Sequence, residues 1–343
     1  VPRSIRVYGP AVRVIRQEDG RFTLNVGAGE ETPEAIVPAV TPSEKSREEL
    51  VKGLLLKLQE RTGLGILDGL REVSVDNARA VYEDRVLNVA WQSRGADIVV
   101  TRGDAGLAAR ALASVDMGNG KRAAMDVTVS YSWDTQRTAA AVKLVDFIPS
   151  RVAQESVQLK ELSDIDMPVD LTLGFDLDPE FRPASLRFAL GGKEGAFNAG
   201  GLYEKPVKVK NFFAKGSFDA TKREVLVDEL RLDLGGPRAE AKARFTADEA
   251  GMKTGSISAT LFDMPMDDLK TWWPDKLAPS PRWWVTEHLS KGIATRATLE
   301  AEGSYDANAA ENKFALVKLG GNIDYQGIKV DYFPPLMPVL GGT

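Results

Sequence analysis

A single histidine, His288, bounds the chemistry open to this 343-residue chain. It lies in TWWPDKLAPSPRWWVTEHLSKG, residues 271–292, among four of the six tryptophans: Trp272, Trp273, Trp283 and Trp284. Imidazole titrates near neutrality, but catalysis would also require an orienting acid and a nucleophile or metal beside it. Glu287 adjoins it in sequence, and adjacent residues of a helix do not face each other. With Trp284 one turn earlier, His288 reads as a packed or surface helix residue. One histidine is too few for a histidine-based metal site, and the absence of cysteine removes thiolates, disulfides and cysteine-ligated metals. Asp263, Asp267 and Asp268 gather near a helix start, where carboxylates complement the dipole. The glycine pairs at 191–192, 235–236 and 320–321 form no phosphate-binding motif and read as turns after strands. The expectation is a protein that is not an enzyme and uses no cofactor and no metal.

Composition narrows the partners. Hydrophobic residues make up 43% and charged residues 27%, which is the balance of a folded chain. The net charge of −5 comes from interleaved signs with no basic block, so nucleic acid is not expected as a partner. No window holds the ~18 consecutive apolar residues of a membrane span.

The elements that would position any site are strands. VDLTLGFDL (169–177) sets Val169, Leu171, Leu173, Phe175 and Leu177 against Asp170, Thr172 and Asp176. ELRLDL (229–234) sets Leu230, Leu232 and Leu234 against Glu229, Arg231 and Asp233. AEAKARF (239–245) ends its small apolar series on Phe245, and Leu186/Phe188/Leu190, Leu299/Ala301/Tyr305 and Ile328/Val330 continue the period of two. Such alternation gives antiparallel strands with one apolar and one wet face. Three segments depart from it. Residues 46–62 have a Ser46/Glu49 capping box and leucines at helical spacing. Residues 265–273 and 281–291 each begin with proline in the first turn, and Gly292 ends the second. Ser–aromatic–Asp triplets recur at Trp133, Phe218 and Tyr305, at spacings of 85 and 87 residues. Either they mark a shared hairpin solution or a repeated β-unit. The segments group as 1–64, 65–262 and 263–343, read as one continuous unit. Some forty helical residues cannot cover a sheet made by half the chain. Its apolar face must therefore meet a second sheet, close on itself, or hold something that is not protein.

WWPDKLAPSPRWWVTEHLSKGIATRATLEAEG (272–303) and GGNIDYQGIKVDYFPPLMPVLGG (320–342) resemble the AsmA-like superfamily, in particular its YhdP-type members of Gram-negative bacteria. RVYGPAVRVIRQEDGRFTLNVG (6–27) and LREVSVDNARAVYEDRVLNVAW (70–91) are similar to early repeats of that family. The resemblance implies a mainly β fold: an elongated, curved antiparallel sheet forming an open groove, with a few short helices. It implies a periplasmic piece of a longer protein, anchored in the inner membrane through a segment outside this chain. The partner implied is a phospholipid or other acyl-chain lipid conducted between membranes. About thirty methylenes at ~0.8 kcal/mol each would cost more than ~20 kcal/mol to pass through water, a barrier that an apolar trough removes without chemistry. The residues expected to line the trough are Val169, Leu171, Leu173, Phe175, Leu186, Phe188, Leu190, Leu230, Leu232, Leu234, Phe245, Leu299, Tyr305, Ile328 and Val330. Trp272, Trp273, Trp283 and Trp284 are candidate helix anchors at its mouth. The competing reading is a structural or assembly β-domain that binds other envelope proteins. A glycan-active enzyme built on paired carboxylates comes third.

Overall fold

The computed structural model describes residues 3–18, 22–27, 69–117, 120–153, 156–177, 183–198, 203–248, 252–274, 279–306, 314–332 and 339–342. The helix expected at 46–62 lies outside the described residues. The protein is mainly β, with open sheets that do not close into a barrel and a few short helices. The chain divides into two compact units, Val1–Ser163 with Asp176–Arg182, and Asp164–Phe175 with Pro183–Thr343.

The first unit holds β1 (Ser4–Tyr8), β2 (Ala11–Arg16), β3 (Phe22–Gly27), β4 (Glu72–Asp84), β5 (Val89–Arg102), β6 (Gly106–Asp116), β7 (Arg122–Ser132) and β8 (Thr138–Phe147). Their spatial order is β3-β2-β4-β5-β6-β7-β8. Not every ladder is antiparallel: β1 and β2 run parallel to successive stretches of the long β4. Register puts Ile98 and Val100 beside Ala111 and Ala109, and these beside Val127 and Val129, so one face of β5–β7 is apolar. One end of that face is covered by a short helix, Pro149–Ala153, whose Val152 is buried with Val89, Val115 and Ala123.

The second unit contains β9 (Ile165–Asp166), β10 (Val169–Leu177) as far as Phe175, β11 (Pro183–Gly192), β12 (Gly195–Phe197), β13 (Val207–Val209), β14 (Asn211–Asp219), β15 (Glu224–Asp233) and β16 (Arg238–Ala247). It continues with β17 (Met252–Pro265), β18 (Leu289–Ser290), β19 (Ile293–Asp306), β20 (Phe314–Gln326), β21 (Ile328–Val330) and β22 (Val339–Gly342). The large sheet runs β10-β11-β14-β15-β16-β17-β19-β20, and its ladders from β11 to β20 are antiparallel. Two small sheets, β13-β12-β9 and β18-β21-β22, stand apart from it. Helices Leu269–Trp272 and Pro279–His288 separate β17 from β18, the second starting two residues before Pro281. The Ser–aromatic–Asp triplets all stand where one strand gives way to the next of a hairpin. Gly320 and Gly321 do not form a turn; they lie inside β20, where Gly321 pairs with Leu299.

Candidate apolar binding face

The register of the second unit builds one face row by row. Leu186 meets Phe218, then Val225, Phe245, Gly255, Gly303 and Leu316. The next row is Phe188, Gly216, Val227, Ala243, Ile257, Ala301 and Leu319. Leu190, Ala214, Leu230, Ala241, Ala259, Leu299 and Gly321 form the third. Gly192, Phe212, Leu232, Ala239, Leu261, Ala297 and Ile323 form the fourth. Side chains directly opposite in an antiparallel pair share a face, so seven strands contribute four rows without one polar side chain. At ~3.4 Å per residue and ~4.8 Å per strand, the rows span about 20 by 29 Å. Uncovered apolar surfaces on soluble monomers seldom exceed a few hundred Å². Much of this one is uncovered: Phe245 is 41% exposed, Ile257 40% and Leu299 40%.

Phenylalanines and glycines smooth the face. A Cβ on Gly255 would come within 2.7 Å of the Phe245 ring, and one on Gly216 within 2.7 Å of the Phe188 ring. Each ring thus lies across the backbone of the neighbouring strand, the device by which aromatics shield strand glycines.

The opposite face is wet and ionic. Glu229 holds Lys215 at 2.7 Å and Arg231 at 2.8 Å, and the Lys215 hydrogen bond keeps its carboxyl below the ordinary value. Arg238 pairs with Asp263 at 3.0 Å, and the guanidinium of Arg231 lies 4.9 Å from the Phe213 ring centre. The opposite face thus carries ion pairs, with Phe213 and Phe262 lying under arginines, where the first face carries no polar side chain in its four rows.

Two caps cover one end of the apolar face. Met167, Val169 and Val209 form a buried cluster with Leu190, Phe197, Phe212 and Leu234 packed on it. Met264, Met266, Ala294 and Ile328 form another, joined by Leu261, Trp272, Val285 and Val330. The Tyr203 hydroxyl donates to the Trp272 carbonyl at 3.0 Å and ties the caps together.

The sequence-derived residues fall into three groups. Leu186, Phe188, Leu230, Leu232, Phe245 and Leu299 lie in the open rows, and Leu190 in a row that reaches under the cap. Val169 is in the cap cluster, and the period of two carries Leu171, Leu173 and Phe175 to the same side of β10. Leu234, Ile328 and Val330 belong to the caps rather than to the open rows. Tyr305 pairs with Lys253 and Phe314 at the strand ends, its side chain outside the described residues. Reading by alternation passed over Phe212, Phe218, Val225, Val227, Ile257, Leu261, Leu316, Leu319 and Ile323. Phe213 beside Phe212 hid the alternation of β14. Bulges at Val227/Leu230 and beside Leu316 shifted the phase of β15 and β20.

Of the four tryptophans, Trp272 packs into the cap core and Trp273 is half-buried. Trp283 and Trp284 are 61% and 37% exposed and enclose His288, with ring centres 5.7 and 5.4 Å away. His288 Nδ1 lies 2.8 Å from the Asp331 carbonyl. This arrangement fixes the ring against backbone and aromatics. Glu287 is engaged elsewhere, by Lys270 at 2.6 Å. Among the described residues no group of three or more His, Asp or Glu is placed to hold a metal. A depression of about 560 Å³ over β15–β19 includes Glu300 and Glu302, but both carboxylates are exposed and share Lys318 at 3.6 Å. Among the described residues no helix is long and apolar enough to cross a membrane. No family model matches the chain, and neither a curated protein nor a solved structure matches it.

Proposed function

We propose that the chain is a non-enzymatic carrier that conducts acyl-chain lipid along the apolar face of its second unit. In this reading it is a periplasmic segment of an AsmA-like, inner-membrane-anchored protein that moves phospholipid between membranes. One observation carries the lipid reading: four rows across seven strands without a polar side chain, left open beyond the caps. A surface of that kind offers hydrocarbon a path out of water at every step and needs no bond to be made or broken. Native mass spectrometry of the purified protein, with extraction and identification of bound lipid, tests it. Phospholipid should co-purify in amounts near one or more per chain; folded protein free of acyl lipid overturns the reading.

The second reading is an assembly module whose apolar surfaces are covered by another envelope protein. The exposed cluster of Trp283, Trp284 and Tyr332 favours it, since aromatic side chains dominate protein interfaces. In that case the same spectra would show a protein partner and no lipid.

A further inference from the structure

The wet face of the second unit holds a depression that its own ion pairs keep open. The space, about 560 Å³, lies over β15–β19. Its lining assigns it to this side of the sheet, because Arg244–Ser256–Glu302 and Lys242–Ser258–Glu300 are successive polar rows of the register. The row between them, Ala243–Ile257–Ala301, belongs to the apolar face. β17 thus supplies a floor of two serines, β16 a wall of two cations and β19 a wall of two carboxylates. Both walls are drawn outward. Arg244 reaches back to the buried Glu224 on β15, engaging it with Nε and Nη2 and leaving Nη1 to a ligand. On the far side Lys318 of β20 holds Glu300 and Glu302 at 3.6 Å each. Among the described residues Lys242, Ser256 and Ser258 make no side-chain hydrogen bond or ion pair.

A ligand of one charge sign would be drawn to one wall and repelled by the other, whereas a zwitterion satisfies both. The width of the depression sets its size. β16 and β19 stand two strand spacings apart, roughly 9.6 Å at ~4.8 Å each. Two charge-assisted hydrogen bonds of ~2.8 Å take up much of that width and leave about 4 Å between the charged groups of the ligand. An α-amino acid carries its charges on one carbon, too close together for that gap. A phosphate and a primary ammonium joined by two carbons fit it. We propose that this depression binds a phosphate–ammonium zwitterion of that kind. Its phosphate lies on Lys242 and Arg244, its ammonium between Glu300 and Glu302, and the serine hydroxyls donate to its oxygens from below. Phosphate oxygens accept from both cations, and the three N–H groups of an ammonium serve both carboxylates. Such a group occurs as a free solute and as a lipid headgroup. The apolar rows lie on the other side of the sheet, so the proposal does not depend on what they carry.

Isothermal titration calorimetry with O-phosphoethanolamine at low ionic strength tests it, with circular dichroism showing that each variant is folded. The wild-type chain should take up one equivalent. Inorganic phosphate, ethanolamine and glycine should each bind at least about tenfold more weakly, since each meets one wall or spans too little of the gap. Lys242→Glu and Glu300→Lys should each weaken O-phosphoethanolamine at least about tenfold. Ser258→Leu fills the floor without changing charge and should do the same, so it reads the site even if a charge reversal is unstable. Co-sedimentation with vesicles separates the two sources. Capture of vesicles carrying phosphatidylethanolamine, lost in the same variants, assigns the lipid headgroup, and binding of the free compound alone assigns a solute. A wild-type chain that does not bind O-phosphoethanolamine overturns the proposal. So does binding that all three variants retain, which would place the zwitterion elsewhere.

Discussion

Arg231 and Leu232 are sequence neighbours that leave β15 on opposite faces. Arg231 stands in solvent beside Glu229, while Leu232 sits between Phe212 and Ala239 in an apolar row. A carboxylate introduced into that row would be desolvated by any acyl chain lying on it, at a cost of several kcal/mol. Leu232→Asp should therefore abolish lipid co-purification, whereas Arg231→Glu should leave it intact. Photocrosslinking from a probe at Ala241, with circular dichroism as the folding control, reads the difference. Equal lipid in both variants would place the hydrocarbon elsewhere. A second residue carries stability rather than function. Asp84 is buried at the end of β4 and accepts from the Tyr82 hydroxyl at 2.9 Å, Arg16 at 3.2 Å and the Val86 and Leu87 amides at 3.0 and 2.9 Å. Burial pushes its carboxyl up, but the Leu87 amide, the Tyr82 hydroxyl and Arg16 outweigh burial and hold it below the ordinary value. Burial first, and then Asp84 itself, push the Tyr82 hydroxyl up in return. A depressed carboxyl contributes its full stabilisation above the unfolded value of about 3.9, and loses it as pH falls through the folded value. Asp84→Ala should cost about 2–3 kcal/mol at pH 7, since several donors are left buried without an acceptor. In urea unfolding as a function of pH, its deficit against wild type should begin to narrow below about pH 4 and go on narrowing as pH falls through the lower folded value. A constant deficit down to pH 2 would show that the ionised form gives no special support.

At the scale of elements, the caps decide how much of the apolar face is dry. The existence of the helix pair was legible in the sequence because proline and serine mark helix starts, but not its bounds: the helices run Leu269–Trp272 and Pro279–His288, and the second gives way to β18 before Gly292 is reached. Which tryptophan anchors it was not legible, since the side chain that turns inward depends on where the sheet lies. Trp272 packs on the cluster of Met264, Met266, Ala294 and Ile328, whereas Trp283 is largely exposed. Trp272→Ala should lower stability by on the order of 3 kcal/mol, and Trp283→Ala should change it by less than about 0.5 kcal/mol. Chemical denaturation with matched m-values checks both. A reversal of the two would mean that the cap packs the other way round. Alternation made the strands themselves legible, and with them the open rows through Leu230, Leu232 and Phe245. It failed wherever a bulge reset the phase, as at Asp228 in β15, because one inserted residue moves every later side chain to the other face. The parallel pairing of β1 and β2 with β4 left no mark in sequence either, as strand direction is fixed by connections rather than by side-chain period.

For the molecule as a whole, an open apolar face is a source of instability that a ligand can relieve. The strands of the second unit keep half-exposed Phe245, Ile257 and Leu299 in water, so the empty sheet forgoes much of the burial that stabilises a two-layered domain. A lipid bound on those rows would contact the native sheet and find no equivalent on the unfolded chain. Linkage then requires it to stabilise the fold, by about 2.7 kcal/mol when free lipid stands at a hundred times its dissociation constant. Lipid-loaded protein should melt several degrees above the same protein after extraction, with tryptophan fluorescence as the readout, and re-addition of phospholipid should restore the difference. Leu232→Asp should melt at one temperature under all three conditions, because its rows no longer take hydrocarbon. An outer-face change such as Arg231→Glu should keep the full shift. If extraction leaves the wild-type melting temperature unchanged while lipid was present beforehand, that lipid was bound without covering the rows, and the apolar face must owe its composition to a protein that covers it.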